Sequence, residues 1–378
     1  MITAFWAANS YGQVFPLEDW QGKKIITLTL PGETEARRFI LDTGSEKNYL
    51  YLPISQGYRT TSIKHVVTDG AGQKEYATAR TKIDIQMLGY ELAKAEFIYV
   101  PQADPLFERL QCAGISGIVG GQIIRQFDWY LTAHTVQISP RLSADLKAEF
   151  ESVPLELWKK KKIPVLTAGF KDDYQSTMMF DLGDNTLVAI KKGNLQYIHT
   201  AGALAGRGGG YTTSVGEVSA TQVLLHQSEQ PFQIGGLQLA PILIDESPDI
   251  SVIGSYFLNY FDVILDYQRK TFYFRRNDRP YRGFHTHGVS IGYDQGRPYI
   301  AVAWDVPDAP WAAVAVGDLV VAINGESVSE MSDTCALRQS IEAAWKQDEV
   351  SVTIEKPTGQ TLTLTLANRS YGLPEQTP

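Results

Sequence analysis

No stretch of this 378-residue chain approaches the roughly 18 consecutive apolar residues of a membrane-crossing helix, so no transmembrane span is expected. Basic charge is scarce as well. Lys and Arg number 34 against 42 Asp and Glu, which leaves a formal net charge of -8 and a pI near 5.4. Phosphate backbones are bound by basic faces, so nucleic acid is not expected as a partner. The only cysteines are Cys112 and Cys335, expected in different domains. So sparse and distant a pair reads as two half-buried thiols, not a disulfide or a metal site. Neither a Gly-x-Ser-x-Gly elbow nor a His-Glu-x-x-His helix occurs, which removes two common hydrolase signatures. His285 and His287 read as a solvated loop, and Lys159-Lys160-Lys161-Lys162 as a solvated connector. The opening residues, Met1 to Ala8, are too short to read as a full signal peptide.

What the chain does hold is ample apolar content, 44%, and a length that suggests two to three domains. It also holds a particular turn. Asp42-Thr43-Gly44-Ser45 follows the apolar run Phe39-Ile40-Leu41 and precedes Asn48-Tyr49-Leu50. A second apolar run, Met178-Met179-Phe180, ends in Asp181-Leu182-Gly183-Asp184 about 139 residues later, a domain-sized spacing.

Two further features repeat with nearly the same offset. Ile118-Val119-Gly120 leads into a short amphipathic helix ending at Phe127-Asp128, then a hairpin through Trp129-Tyr130-Leu131 and Val136-Gln137-Ile138. Val252-Ile253-Gly254 opens the same pattern, ending at Phe261-Asp262 before Val263 to Tyr267 and Phe272-Tyr273-Phe274. Between the landmarks each half has a Gly-rich segment suited to a hairpin tip. These are Asp69-Gly70-Ala71-Gly72 and Gly208-Gly209-Gly210-Tyr211. Landmarks repeating in register mark an internal duplication.

After Arg275 to Pro280 the pattern changes. A strand is expected over Pro298 to Val302 and a turn over Pro307 to Pro310. An apolar strand ending in an Asn324-Gly325 hairpin turn follows, then a helix over Ala336 to Trp345. The strands Val350 to Glu355 and Thr361 to Leu366 close the unit.

The order of strand, Asp-Thr-Gly-Ser, glycine hairpin, then apolar-apolar-Gly with a helix resembles the retropepsin family of aspartic proteases, here with two subunits fused. The run Gly317-Asp318 to Asn324-Gly325 resembles that of a bacterial PDZ domain. The resemblance implies a mainly β fold. An N-terminal extension would cover 1–24, and two pseudo-twofold-related closed β-barrel lobes 25–145 and 146–276. A PDZ domain, a β-sandwich with one or two helices, would cover 283–378. Asp42 and Asp181 would form the catalytic pair, with Gly120 and Gly254 packing beneath their loops. The glycine hairpins would be flaps over a peptide cleft. Gly288-Val289-Ser290-Ile291-Gly292 would be the loop that takes a peptide's terminal carboxylate. The resemblance implies no metal and no cofactor. Its partners are a peptide or protein substrate and a C-terminal peptide for the PDZ domain. Proteins with this combination are often bacterial and exported, which points to the periplasm or cell surface.

The chemistry needs two carboxylates so close that they share one proton. The ionised member takes a proton from water and the protonated member supports the developing oxyanion. In the family both lobes carry Thr after the aspartate, whereas the second half here has Leu182. The Ser45 hydroxyl is expected to donate to the outer oxygen of Asp42, and Asp184 to repel Asp181. Asp42 is therefore expected to be the base and Asp181 the proton holder. Were the second half degenerate, the chain would instead bind peptides without cutting them. The separation of the two carboxyls distinguishes these readings.

Overall fold

Strands dominate the structure, a computed structural model. It describes residues 13–371 except 54–56, 70–71, 159–160, 172–173, 213–216, 240, 280–283, 295, 307–312, 329–330 and 332. The expected turn over 307–310, Lys159 and Lys160, and Gly70 and Ala71 therefore lie outside the described residues.

Local pattern accounts for most strands. In Gly72–Met87 the alternating residues Thr81, Ile83, Ile85 and Met87 are buried while their neighbours are exposed, the period of a half-solvated sheet. Phe39, Ile40 and Leu41 are buried in succession because Arg37–Leu41 has a parallel neighbour, Ile115–Val119, and is covered on both faces.

The two halves repeat one strand order. Across the first sheet it is Glu18–Trp20, Lys23–Thr29, Arg37–Leu41, Ile115–Val119, Tyr49–Leu50, Tyr90–Tyr99, Gly72–Met87, Thr60–Asp69. In the second half it is Glu156–Leu157, Pro164–Phe170, Tyr174–Asp181, Val252–Gly254, Val188–Lys191, Leu243–Ser247, Gln222–Ser228, Thr200–Gly208. Parallel and antiparallel pairings match position by position around each aspartate-bearing strand.

A six-stranded sheet joins the halves and is itself symmetric. Asp128–Leu131 pairs with Phe261–Asp266 at its centre, flanked by Thr135–Ser139 and Thr271–Arg276, then by Val14–Pro16 and Glu151–Pro154. Beside this seam Lys147 Nζ donates to Asp128 Oδ2 (2.8 Å) and Asp266 Oδ2 (2.6 Å), one carboxylate from each half, all three buried. One apolar core runs through both halves and includes Phe39, Trp129, Phe180 and Phe272. Residues 14–24 were expected to lie in an extension. They instead supply a strand of the joining sheet and the edge of the first sheet.

The C-terminal unit has its own core, built on Val350, Val352 and Ile354 under the helix Thr334–Ala344. Asp333 caps that helix, its carboxylate accepting from Cys335 N (2.8 Å) and Ala336 N (3.1 Å). Asn324 and Gly325 take φ of 51° and 83°, the geometry an Asn-Gly hairpin turn requires.

Two expectations fail here. Val289 to Gly292 do not form a loop but open the strand Val289–Asp294, because this segment pairs with Arg297–Trp304 from Val289↔Ala303 onward. His287 is not solvated: it is 4% exposed, hydrogen-bonds to the Gln347 carbonyl (2.9 Å) and packs on Trp345. His285 is exposed.

The C-terminal unit is attached to both halves. Gly206 to Gly208 pair with Trp304 to Val302, and Leu225, Leu204 and Val223 of the second half's hairpin pack into the C-terminal core. On the other side, Cys112 and Cys335 form a disulfide between helices Phe107–Cys112 and Thr334–Ala344. The expectation of two free thiols is therefore overturned. The chain folds so that these two residues, 223 apart in sequence, have Cα atoms 4.7 Å apart.

Candidate active site

Asp42 follows the strand Arg37–Leu41 and Asp181 ends the strand Tyr174–Asp181, so each carboxyl stands at the end of a strand buried in its half. The joining sheet brings the two ends face to face. A Cβ on Gly44 would fall within the Asp181 carboxyl, and one on Gly183 within that of Asp42. Each glycine thus clears space for the carboxyl of the opposite half. The charge of Asp42 bears directly on Asp181, so the two carboxyls form one electrostatic pair. Ser45 N donates to Asp42 Oδ1 (2.8 Å), while Gly183 N (2.8 Å) and Gly44 N (3.2 Å) both donate to Asp181 Oδ1.

The supporting loops match as well. Gly121 N donates to Ser45 O (2.7 Å), and Ser255 N donates to Asp184 O (2.8 Å) at the corresponding place. A Cβ on Gly120 would meet the Lys47 and Ser45 carbonyls, and one on Gly254 would meet the Thr186 backbone. Thr43 crosses the seam: its hydroxyl donates to Phe180 O (2.7 Å) and accepts from Leu182 N (2.9 Å). Leu182 returns nothing and lies in the apolar core. The Ser45 hydroxyl does not reach Asp42. It donates to Lys47 O (2.8 Å), because the turn presents the Ser45 backbone N–H to the carboxylate instead.

The electrostatics separate the two acids. Burial pushes Asp42 up, and Lys23, the bond from Asp181 and the Ser45 and Gly44 N–H groups oppose it. Asp181 is held well above the ordinary range by burial, then by the Asp42 charge and the Asp184 charge. Both acids are raised, and Asp181 is raised further toward its protonated form. The carboxyl of Asp184 accepts from Thr186 N (2.8 Å) and Oγ1 (2.6 Å), which fixes its charge beside the pair. Asp245, which sequence reasoning missed, is pushed up to about 7 by burial and by Asp184.

Lys23 was missed too. Its ammonium donates to the Gly183 carbonyl and favours the ionised form of both catalytic-pair aspartates. The only sequence signal was a lysine in an otherwise apolar strand start, Lys23-Lys24-Ile25-Ile26.

A cleft of about 520 Å³ opens from the pair and runs under the first half's hairpin, past Trp20, Tyr49, Tyr51, Tyr76 and Val66. His65 of the hairpin ties to the Tyr49 hydroxyl at 3.1 Å, beside the Asp42 loop. Asp69 pairs with Gly72 at the described end of this hairpin. The second half's glycines are arranged differently. Gly208 and Gly209 take φ of +77° and +128° within the hairpin, not at its tip, and Gly210 and Tyr211 continue into the strand Gly210–Thr212. A Cβ on Gly208 would press on the Ala301 carbonyl and Val316, so this bend fits against the C-terminal unit. Neither Gly208 nor Gly209 is among the described residues that line the cleft.

Among the described residues, no group of three or more His, Cys, Asp or Glu could hold a metal ion, and no helix is long and apolar enough to cross a membrane. No protein-family model matches the chain, and no curated protein matches its sequence.

Proposed function

We propose that this chain is an aspartic endopeptidase of retropepsin type, with two fused lobes and a PDZ-like C-terminal unit. One observation carries the reading: two carboxyls from halves that share a strand order face each other, each in the space left by the other half's glycine. Ionised Asp42 takes a proton from water as the oxygen attacks the peptide carbonyl. Asp181 gives its proton to the carbonyl oxygen, forming a tetrahedral diol. Collapse of the diol breaks the C–N bond, with the proton held on Asp42 passing to the leaving nitrogen and a diol hydroxyl proton returning to Asp181 as the C=O bond reforms. Lys23 keeps one carboxylate charged in a buried site. An extended peptide fits the cleft beneath the first half's hairpin, its side chains alternating between pockets.

The PDZ-like unit is read as a brace. Arg338 of its helix stacks on Tyr293 of the strand Val289–Asp294 with Cζ 3.9 Å from the ring centroid, filling the space between helix and strand. That favours docking over capture of peptide C-termini.

The test is digestion of a mixed peptide library with mass-spectrometric readout. Asp42→Asn and Asp181→Asn should each lower cleavage by at least about a thousandfold while the fold survives. Cleavage that persists in Asp181→Asn overturns the two-aspartate mechanism. Peptides bound by the wild type but left intact would make the chain a binding protein.

A further inference from the structure

Arg109 lies on the helix Phe107–Cys112 and lines the same cleft as Asp42 and Asp181. Its surroundings hold it in place without neutralising it. The guanidinium stands over the Trp20 ring with Cζ 5.6 Å from the centroid, and it donates to Gln21 Oε1. Gln21 Nε2 in turn donates to Glu342 Oε1 (2.6 Å), so the nearest acid of the facing helix is engaged by an amide.

A second guanidinium stands behind the first. The Cys112–Cys335 disulfide clamps the two helices together, and Arg109 and Arg338 each lie one helical turn from their own cysteine. Gln339 Nε2 donates to the Cys112 carbonyl (2.9 Å) across the same contact. Arg338 Nε is buried without a hydrogen-bond partner. Among the described residues no carboxylate forms an ion pair with Arg109 or Arg338, whereas Arg37, Arg38, Arg207, Arg269 and Arg275 each have one. Burial and the Arg338 charge push Arg109 down, and the Glu342 charge offsets them only in part.

A cation compensated only in part at a half-buried site is costly, and the rest of the counter-charge is supplied when an anion arrives from the cleft. We propose that this end of the cleft is a carboxylate-binding subsite, where Arg109, backed by Arg338, takes an acidic side chain or the terminal carboxylate of a bound peptide. The proposal rests on the peptidase reading and adds a substrate class to it. A guanidinium suits the role because its planar fork meets a carboxylate with two parallel hydrogen bonds while its face stays on an aromatic ring. Two of the three lysines lining the cleft are already engaged, Lys47 with Glu46 (3.3 Å) and Lys23 with the Gly183 carbonyl, and the third, Lys161, is exposed.

The experiment measures binding without turnover, by fluorescence anisotropy, on the full-length, disulfide-bonded Asp181→Asn form. One set of octapeptides carries a single Glu at successive positions, each matched by its Gln twin. A second set differs only in a free or amidated C-terminus. At least one pair should show about tenfold tighter binding of the carboxylate, in keeping with a charge-assisted hydrogen bond. Which set shows it names the source of the carboxylate. The advantage should shrink as salt is raised, and Arg109→Gln should bring the ratio toward one. Should Arg109→Gln fail to fold, Arg338→Gln must cut the ratio severalfold. Equal affinities within every pair, or an undiminished ratio in the arginine variants, overturn the subsite. Cleavage of wild-type substrates regardless of charge would sink the subsite and leave the peptidase standing. Tight carboxylate-dependent binding by a wild type that never cuts would do the reverse.

Discussion

Asp184 occupies the position where the first half has Ser45, and its charge is the third cause lifting Asp181, after burial and the Asp42 charge. Asp184→Asn keeps an oxygen to accept from Thr186 and removes that charge. The folded-state pKa of Asp181 then falls toward its ordinary value. On the proposed mechanism Asp181 acts in its protonated form, so the alkaline limb of the kcat profile should move to lower pH, with the acid limb, assigned there to Asp42, moving less. A pH–rate series on one peptide reads this out, and an unmoved alkaline limb would place the controlling charge elsewhere. Asp245 feels the same Asp184 charge and is not among the described residues that line the cleft.

Each aspartate depends on the element that carries it, and here one hydroxyl secures both turns. Thr43 Oγ1 satisfies the Phe180 carbonyl and the Leu182 N–H in a site closed to water, where an unmet backbone group costs its full desolvation. Thr43→Val keeps the shape and leaves both groups unpaired, so a loss of about 2–4 kcal/mol is expected in urea unfolding. Thr43→Ser, which keeps the hydroxyl, should cost less than half of that. A Val variant as stable as wild type would mean that the turns are held by packing alone. The hairpins show the opposite behaviour, since equivalent elements took different duties. The first, with Val66 and Tyr76, covers the cleft, and the second is drawn onto the strand Arg297–Trp304.

For the whole molecule, the C-terminal unit grips the second half by a strand pairing and the first by a disulfide. The disulfide closes a loop of 223 residues. On the chain-entropy account such a closure is worth roughly 5 kcal/mol, set against any strain in the native state. Replacing both cysteines by serine should therefore lower guanidinium stability by up to about 5 kcal/mol. Reducing the wild type with a dithiol should give the same shift. Hydrogen exchange should rise first in the helices Phe107–Cys112 and Thr334–Ala344, which meet at the bridge. Unchanged exchange there would mean that the helix contact stands without its covalent tie.

The sequence alone determined what depends on neighbours along the chain. The pattern marked Val350 to Glu355 and Thr361 to Leu366 as strands, because a strand's faces are set two residues at a time. Asp-x-Gly after an apolar run marked both aspartates, and Asn324-Gly325 marked its turn, because those backbone shapes need those residue types. The register of the repeat showed that there are two halves, and the shared strand order bears that out. Tertiary structure decided everything that depends on which distant segments meet. It put Lys23 beside the Asp pair, where no periodicity distinguishes it from Lys24, whose side chain turns instead to Asp19. It joined Cys112 to Cys335, since two thiols 223 residues apart carry no local sign of each other. It turned the Ser45 hydroxyl toward Lys47, paired Val289 to Asp294 into a strand, and bent Gly208 and Gly209 against the C-terminal unit. A side chain's partner is set by the path of the whole backbone, and that path is fixed only when the core closes.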